Sequence, residues 1–176
     1  MMAMETQKEK KWFAIYTKPR WEKKVNAKLL EKGIESWCPV QKKESQWSDR
    51  KKIIDDPLFK SYVFVHIASE DERLKVLTTN GVLQFVQYLK KPGVIRDEEI
   101  ELIRSYLLEK NVTITVENLR QFSENNKVVI RKGVFMDAEG TVIKGGRKKV
   151  YVRLESLDQL LIVEFPAEHL SHKRVI

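Results

Sequence analysis

The sequence predicts an α+β protein in two parts: a ferredoxin-like α/β sandwich over residues 10–110 and a small β-barrel over residues 124–176, joined by a linker over 111–123. In the first part, segments rich in β-branched and aromatic residues alternate with segments of helical period. In the last part, short strand-like segments are separated by Gly or polar turns, and no helical period persists. The 176 residues are enough for two small domains.

A first strand and a first helix are predicted near the N-terminus. The segment WFAIYT, residues 12–17, has the β-branched and aromatic composition of a strand. In the segment that follows, Trp21, Val25 and Leu29 recur every four residues, which indicates a helix, and Gly33 suits its C-terminal end. The short segment IESWCPV then predicts a second strand.

The remaining elements of the first part are recognised by their boundaries. The polar and basic stretch 41–56 indicates either an extended hairpin or a mobile loop. Ser69 and Glu72 stand in capping-box spacing, which predicts a short helix. The segment GVLQFVQY predicts another strand, and Asp97 is the expected N-cap of a third helix. The element order is that of an α+β sandwich.

The run PLFKSYVFV predicts a strand that is apolar on both faces. Alternation places Phe59, Val63 and Val65 on one face, and Tyr62 and Phe64 on the other. Either the strand is central and covered on both sides, or one face is reserved for a partner. Because helices are expected on one side only, we predict that Phe59, Val63 and Val65 face the helices.

The C-terminal part carries only strand signals. Val112, Ile114 and Val116 alternate briefly, so the linker is expected to contain one extra strand. Four further segments follow, KVVIRKG, DAEGTVIKGG, KKVYVRLE and QLLIVEFP. So few strands in about 50 residues make a small closed barrel the economical arrangement. Gly140 is expected at a tight corner, where a backbone without a Cβ is needed.

Charge and cysteine content limit the kinds of partner and the compartment. The formal net charge is +8, and residues 1–60 carry 15 Lys and Arg against 9 Asp and Glu. A basic N-terminal end favours an anionic partner. The single cysteine, Cys38, is expected to be a buried thiol in a reducing compartment. With no apolar run of about 20 residues, the protein is expected to be cytoplasmic and not to bind a membrane.

The sequence shows no motif for catalysis. It has neither a Walker A motif nor a G-x-G-x-x-G after a strand. No set of His and Cys residues has the spacing of a zinc site. We therefore expect a binding protein rather than an enzyme, without catalytic residues, cofactor or metal.

Several segments resemble one family. The segment VVIRKGVFMDAEGTVIKGGRKKVYVRLE resembles an SH3-like KOW barrel, whose motif centres on a glycine, here Gly140. The segments KWFAIYTKPRWEKKVNAKL, PLFKSYVFV, NGVLQFV and PGVIRDEEI resemble, in order and spacing, the NGN domain of NusG-like transcription elongation factors. The details favour the specialised antitermination paralogues of the RfaH and UpxY kind. Lys60 and Ser61 stand where the family usually has Pro-Gly or Pro-Asn.

The resemblance implies a function and a polymerase-binding surface. An NGN domain binds the clamp helices of the RNA polymerase largest subunit through an apolar patch on its sheet, and suppresses pausing or termination. Matching positions give Tyr16, Tyr62 and Phe64 as first candidates and Phe59 and Phe85 as second. The alternative for each is plain core packing, and for Phe59 and Phe85 it is the better interpretation.

The resemblance also implies contact with nucleic acid and with a second protein. Specialised relatives touch the non-template DNA strand at positions that correspond here to Lys18, Arg20, Lys23, Lys24, Thr79 and Asn80, although a solvated helix face is the alternative. The 42–52 stretch is a further candidate for reaching upstream DNA or polymerase. The barrel would recruit a partner such as ribosomal protein S10 or Rho, and a monomer is expected. The competing interpretation is a ribosome- or RNA-binding KOW-domain protein.

Overall fold

The computed structural model describes residues 8–109, 112–118, 141–143 and 147–166. The chain divides into two compact units, residues 1–97 and 98–176. This division lies earlier than the domain boundary predicted near residue 110. No helix among the described residues is long and apolar enough to cross a membrane.

The first unit is built on a four-stranded antiparallel sheet in the order β2-β5-β1-β6. Two helices and two hairpins complete it, and their alternation with the strands confirms the predicted α+β class. In chain order its elements are β1 (Lys11–Thr17), α1 (Glu22–Glu31), β2 (Glu35–Trp37), β3 (Val40–Trp47), β4 (Arg50–Pro57), β5 (Tyr62–Ile67), α2 (Glu70–Leu77), β6 (Val82–Phe85), β7 (Gln87–Tyr88) and β8 (Lys91–Pro92).

One face of this sheet packs on α1. Ile15, Val63 and Val65 from the sheet join Val25 and Leu29 from the helix, and all five side chains are 0% exposed. The predicted four-residue spacing in α1 is therefore the buried face of the helix. Removal of this apolar surface from water is the main stabilising contribution to the unit.

The second helix begins with the predicted capping box. The Ser69 hydroxyl accepts from the Glu72 amide at 3.2 Å, and the Glu72 carboxylate accepts from the Ser69 amide at 3.0 Å. The same carboxylate accepts from the Ala68 amide at 2.7 Å. That bond is the largest of the contributions that lower the pKa of Glu72.

The basic stretch around Trp47 is a hairpin, which decides between the two alternatives that the sequence left open. Strands β3 and β4 pair without interruption from Val40 opposite Pro57 to Trp47 opposite Arg50. The hairpin is therefore a two-stranded ribbon separate from the four-stranded sheet, since its strands pair with each other and not with β5 or β1.

The run PLFKSYVFV is not one strand, and this part of the prediction is wrong. Strand β4 ends at Pro57, a turn follows, and β5 begins only at Tyr62. Ser61 in that turn has φ +63°, a left-handed conformation that residues other than glycine rarely adopt. The Ser61 amide donates to the Glu22 carboxylate at 2.7 Å, which ties the turn to the start of α1.

The turn changes the position of Phe59. Its ring packs edge-on against Phe64, with centroids 5.2 Å apart. Phe64 alternates with Val63 and Val65 along β5, so it points away from α1. The prediction that Phe59 faces the helices is therefore wrong, because a turn separates Phe59 from β5 and the alternation of a single strand does not extend to it.

The second unit contains an antiparallel sheet in the order β10-β11-β12-β9. Its elements are α3 (Asp97–Leu108), β9 (Thr113–Asn118), β10 (Thr141–Ile143), β11 (Arg147–Leu154), a 3-10 turn (Glu155–Leu157) and β12 (Gln159–Pro166). The extra strand expected in the linker is β9, and it pairs along β12 rather than standing alone. The sheet is in keeping with the predicted small β domain, while Gly140 lies outside the described residues.

Candidate binding surfaces of the first unit

The face of the first sheet that points away from α1 is aromatic. Tyr16 lies opposite Tyr62 across β1 and β5, and Trp37 lies opposite Phe64 across β2 and β5. The Tyr16 and Tyr62 rings are 4.9 Å apart, and their hydroxyl oxygens are 3.4 Å apart. We call the set Tyr16, Trp37, Phe59, Tyr62 and Phe64 the aromatic face.

Exposure separates these side chains into two groups. Tyr16, Trp37 and Tyr62 are half-buried, whereas Phe59 is 1% exposed and Phe64 is 0% exposed. Phe64 therefore offers no open ring surface, contrary to the expectation that it lies beside Tyr62 on an uncovered face. The two tyrosines are a partly exposed pair where β1 meets the start of β5, next to a buried pair of phenylalanines.

Phe85 belongs to neither group. It is 5% exposed within the core on the α1 side of the sheet. Its ring meets Phe13 edge-on, with centroids 5.9 Å apart, and the Arg73 guanidinium lies 5.2 Å from its ring centroid. The interpretation of Phe85 as a core residue is confirmed.

A second surface is formed by lysines around Trp21. The ammonium groups of Lys18, Lys24 and Lys28 lie 5.0, 4.3 and 5.4 Å from the centroid of the half-buried Trp21 ring. Distances below about 6 Å are in the range of cation–π interactions. We call Trp21 with these three lysines the Trp21 patch.

The loop after α2 packs against this patch. The Lys18 amide donates to the Gly81 carbonyl at 2.9 Å. A Cβ on Gly81 would lie 2.6 Å from Cε3 of Trp21 and 2.7 Å from Cγ2 of Val25. Asn80, which is exposed, is thereby held next to the β1–α1 loop, even though the two segments are far apart in sequence.

Five of the six residues predicted to contact DNA are exposed: Lys18, Arg20, Lys23, Lys24 and Asn80. Arg20 lies in the β1–α1 loop with φ +65°. Thr79 and Lys23 make contacts within the fold. Thr79 is 2% exposed, and its hydroxyl donates to the Lys75 carbonyl at 2.7 Å and accepts from Lys32 at 2.9 Å. The Lys23 ammonium donates to the Asp55 carbonyl of the hairpin at 2.9 Å.

Sequence reasoning missed two members of this surface. The four-residue spacing assigns Trp21 to the apolar stripe of α1, and the sequence pattern does not single out Lys28. The i, i+3, i+7 spacing of Trp21, Lys24 and Lys28 places them on one side of a helix and was available in the sequence. Glu22, the neighbour of Trp21 in sequence, is 4% exposed, and its carboxylate accepts from the Ser61 amide.

Cys38 is a buried thiol, as predicted. It is 8% exposed within the core on the α1 side. Burial, and secondly the charge of Glu22, raise its pKa to about 11. At neutral pH the thiol is therefore protonated and a poor nucleophile.

These features define the class of the protein: a two-unit α+β protein whose first unit carries an aromatic surface and a separate cationic surface. Residues 10–104 match the family model described as transcription termination factor NusG. That match covers more than half of the sequence, so the chain belongs to the NusG family.

Relatives and a solved structure agree with this assignment. The transcription termination/antitermination protein NusG of Staphylococcus carnosus is 31% identical over 178 residues, which cover 92% of this chain and 95% of that protein. The protein of the same name from Borreliella burgdorferi is 24% identical, with 91% and 97% covered. A structure of Thermotoga maritima NusG has a TM-score of 0.50 at 20% identity and covers 90% of this chain and 94% of its own. That structural likeness supports the fold.

Proposed function

We propose that this protein is a transcription elongation or antitermination factor that binds the clamp helices of the RNA polymerase largest subunit through its aromatic face. The observation that supports the proposal is the partly exposed Tyr16–Tyr62 pair, which occupies the positions that the family resemblance assigns to polymerase binding. Membership of the NusG family and the names of the relatives support a role in transcription.

The two tyrosines have the chemistry of a protein-binding site. A tyrosine offers a large apolar ring, few rotatable bonds and a hydroxyl that hydrogen-bonds at the rim, and it is enriched among the residues that dominate binding energy. The buried Phe59–Phe64 pair gives β5 a fixed support, so little ordering is needed when a partner binds. Phe59 and Phe64 thus act on binding by positioning the tyrosines, and Phe85 acts only through the core.

The Trp21 patch is proposed to contact the non-template DNA strand of the transcribing complex. Lys18, Arg20 and Lys24 neutralise phosphates, and Asn80 supplies an amide for a base edge. Binding of both surfaces to active polymerase shifts the equilibrium away from the paused form, because the factor has a higher affinity for the active form. Polymerase performs the catalysis. The second unit is proposed to bind a further protein, such as ribosomal protein S10 or Rho.

The test is a titration of RNA polymerase with the full chain and its tyrosine variants. Tyr16→Ala combined with Tyr62→Ala should weaken binding by about 30-fold or more, the size of a hot-spot loss of about 2 kcal/mol. Tyr62→Phe keeps the ring and serves as the matched control, with affinity within a few-fold of wild type. Unchanged affinity of the double alanine variant would refute the assignment of the aromatic face.

Phe64→Ala cannot replace the tyrosine variants in this test. Because Phe64 is fully buried, its truncation is expected to destabilise the fold by about 3–5 kcal/mol. Loss of binding by that variant would then report unfolding rather than a lost contact.

A preference for free structured RNA would favour the alternative function. A ribosome- or RNA-binding protein should bind such RNA tightly and with strong salt dependence. An elongation factor should bind it weakly and bind a paused elongation complex clearly. Measuring both affinities at the same salt concentration distinguishes the two functions.

A further inference from the structure

The β3–β4 hairpin has two faces with different charge arrangements. Side chains alternate along each strand, and directly opposed residues share a face. Trp47 is opposed to Arg50, Ser45 to Lys52, and Lys43 to Ile54, so these six residues share one face. We call this the Trp47 face. The other face carries Lys42, Glu44, Gln46, Lys51, Ile53 and Asp55.

The charges on the second face are paired. Lys42 lies 3.0 Å from Asp55, and Lys51 lies 3.8 Å from Glu44. Among the six residues of the Trp47 face, by contrast, the charged ones are the three cations Lys43, Arg50 and Lys52. Asp49 lies in the turn that joins the two strands. Farther along the same side of the hairpin, Asp56 pairs with Lys60, so it leaves these three cations uncompensated. The hairpin therefore presents one neutral face and one net positive face.

The positive face also presents an exposed indole. Trp47 is 54% exposed, and the Lys52 ammonium lies 5.1 Å from its ring centroid. A tryptophan left this open loses the stabilisation of burial, which points to a partner that covers it. Aromatic rings for stacking bases, surrounded by cations for phosphates, are the combination by which proteins bind single-stranded nucleic acid.

We propose that the Trp47 face binds single-stranded nucleic acid, with a base stacked on Trp47 and phosphates at Lys43, Arg50 and Lys52. An acidic protein segment would match the charges but has no need of an open indole. The inference concerns a surface separate from the aromatic face, so it stands or fails independently of polymerase binding.

The experiment measures fluorescence anisotropy of labelled oligo(dT) and oligo(U) of about 12 nucleotides, a length within the range that single-strand binding surfaces cover. The full chain is titrated at several salt concentrations. Trp47→Ala tests stacking, and Trp47→Phe restores a ring. Lys43→Gln combined with Lys52→Gln removes two charges from the Trp47 face. Lys42→Gln combined with Lys51→Gln removes two charges from the paired face, so the two double variants have the same net charge.

Each variant has a distinct expected effect. Trp47→Ala should weaken binding by about 5- to 150-fold, as the loss of one stacked base does, while the salt dependence stays unchanged. The Lys43 and Lys52 double variant should lower the slope of log affinity against log salt by about 1.4, since each lost single-strand phosphate contact removes about 0.7. Trp47→Phe and the Lys42 and Lys51 double variant should remain within a few-fold of wild type.

Three results would overturn the inference: wild-type protein that binds neither oligonucleotide, Trp47→Ala that binds as wild type, or equal effects of the two double lysine variants. Tighter binding of oligo(U) than of oligo(dT), or the reverse, supports the site and identifies RNA or DNA as its ligand. Because the substituted side chains are exposed, the thermal unfolding temperature of the variants should be unchanged. If Trp47→Ala loses stability, Trp47→Ser replaces it, and if the Lys43 and Lys52 double variant does, Arg50→Gln combined with Lys52→Gln replaces it.

Discussion

Replacing Gly81 with alanine should destabilise the first unit through two effects that can be measured separately. Gly81 has φ +99°, a conformation that L side chains rarely adopt. Its added Cβ would also lie 2.6 Å from the Trp21 ring and 2.7 Å from Val25. Trp21 is the N-cap of α1 and Val25 lies in its first turns, so the added methyl group would push α1 away from the loop after α2.

Gly33 is the matched control, because a Cβ there meets nothing within 4 Å while φ is +75°. Gly33→Ala therefore reports backbone strain alone, about 1 kcal/mol after the entropy gained by replacing glycine is subtracted. Gly81→Ala adds overpacking, which typically costs about 1–3 kcal/mol. We expect a total of about 2–4 kcal/mol for Gly81→Ala.

Urea unfolding followed by tryptophan fluorescence is the assay. All four tryptophans lie between residues 12 and 47, so the signal reports the first unit. Gly81→Ala should cost less in a Trp21→Ala background, because the closest clash has been removed. If Gly81→Ala is no more destabilising than Gly33→Ala, the close packing of the loop on Trp21 is refuted.

Three further predictions concern the turn, the α2 cap and the buried thiol. Ser61→Gly should stabilise the unit by about 1 kcal/mol, because glycine relieves the left-handed backbone at φ +63°. The control Ser45→Gly in strand β3 should destabilise the unit by about 0.5–1 kcal/mol. Urea titration measures both changes, and equal effects of the two variants would contradict the strain argument. Ser69→Ala should cost about 1 kcal/mol at pH 7. The pKa of Glu72 is lowered in the folded state, so its contribution to the free energy of unfolding is present above the unfolded pKa and is lost as pH falls through the folded pKa. The difference in unfolding free energy between wild type and Glu72→Gln should therefore shrink in acid. Since burial raises the pKa of Cys38 to about 11, the thiol should resist iodoacetamide at pH 8 in the native protein and react with it in urea. The contribution of the thiol to stability is present below its unfolded pKa and declines as pH rises toward 11. Rapid alkylation of the native protein would contradict the burial of Cys38.

The candidate surfaces were predicted unevenly from the sequence. Family positions led to Tyr16 and Tyr62, and these side chains are partly exposed and in contact with each other. The same reasoning expected an accessible Phe64, because alternation assigns a face and does not say whether that face is open. Burial depends on what the rest of the chain brings against the strand, which a local pattern does not contain.

The cationic surface depended even more on distant parts of the chain. Lys23 and Lys24 are neighbours in α1, yet Lys23 binds the hairpin and Lys24 lies over Trp21. A helix turns about 100° per residue, so adjacent lysines diverge. Thr79 and Asn80 are likewise neighbours with different surroundings. The Thr79 hydroxyl bonds to Lys32 and Lys75, whereas the Asn80 side chain is exposed.

By itself the sequence determined the α+β class, the capped start of α2, the buried stripe of α1, the family resemblance and the basic character of the N-terminal part. These features depend on period, composition and local hydrogen bonding, which neighbouring residues specify. Only the tertiary structure decided that PLFKSYVFV is interrupted by a turn at Ser61, that Phe64 is enclosed, and that Gly81 brings Asn80 next to the Trp21 patch. The physical reason is that burial and side-chain contacts arise between segments far apart in sequence, whose approach is set by packing of the whole unit.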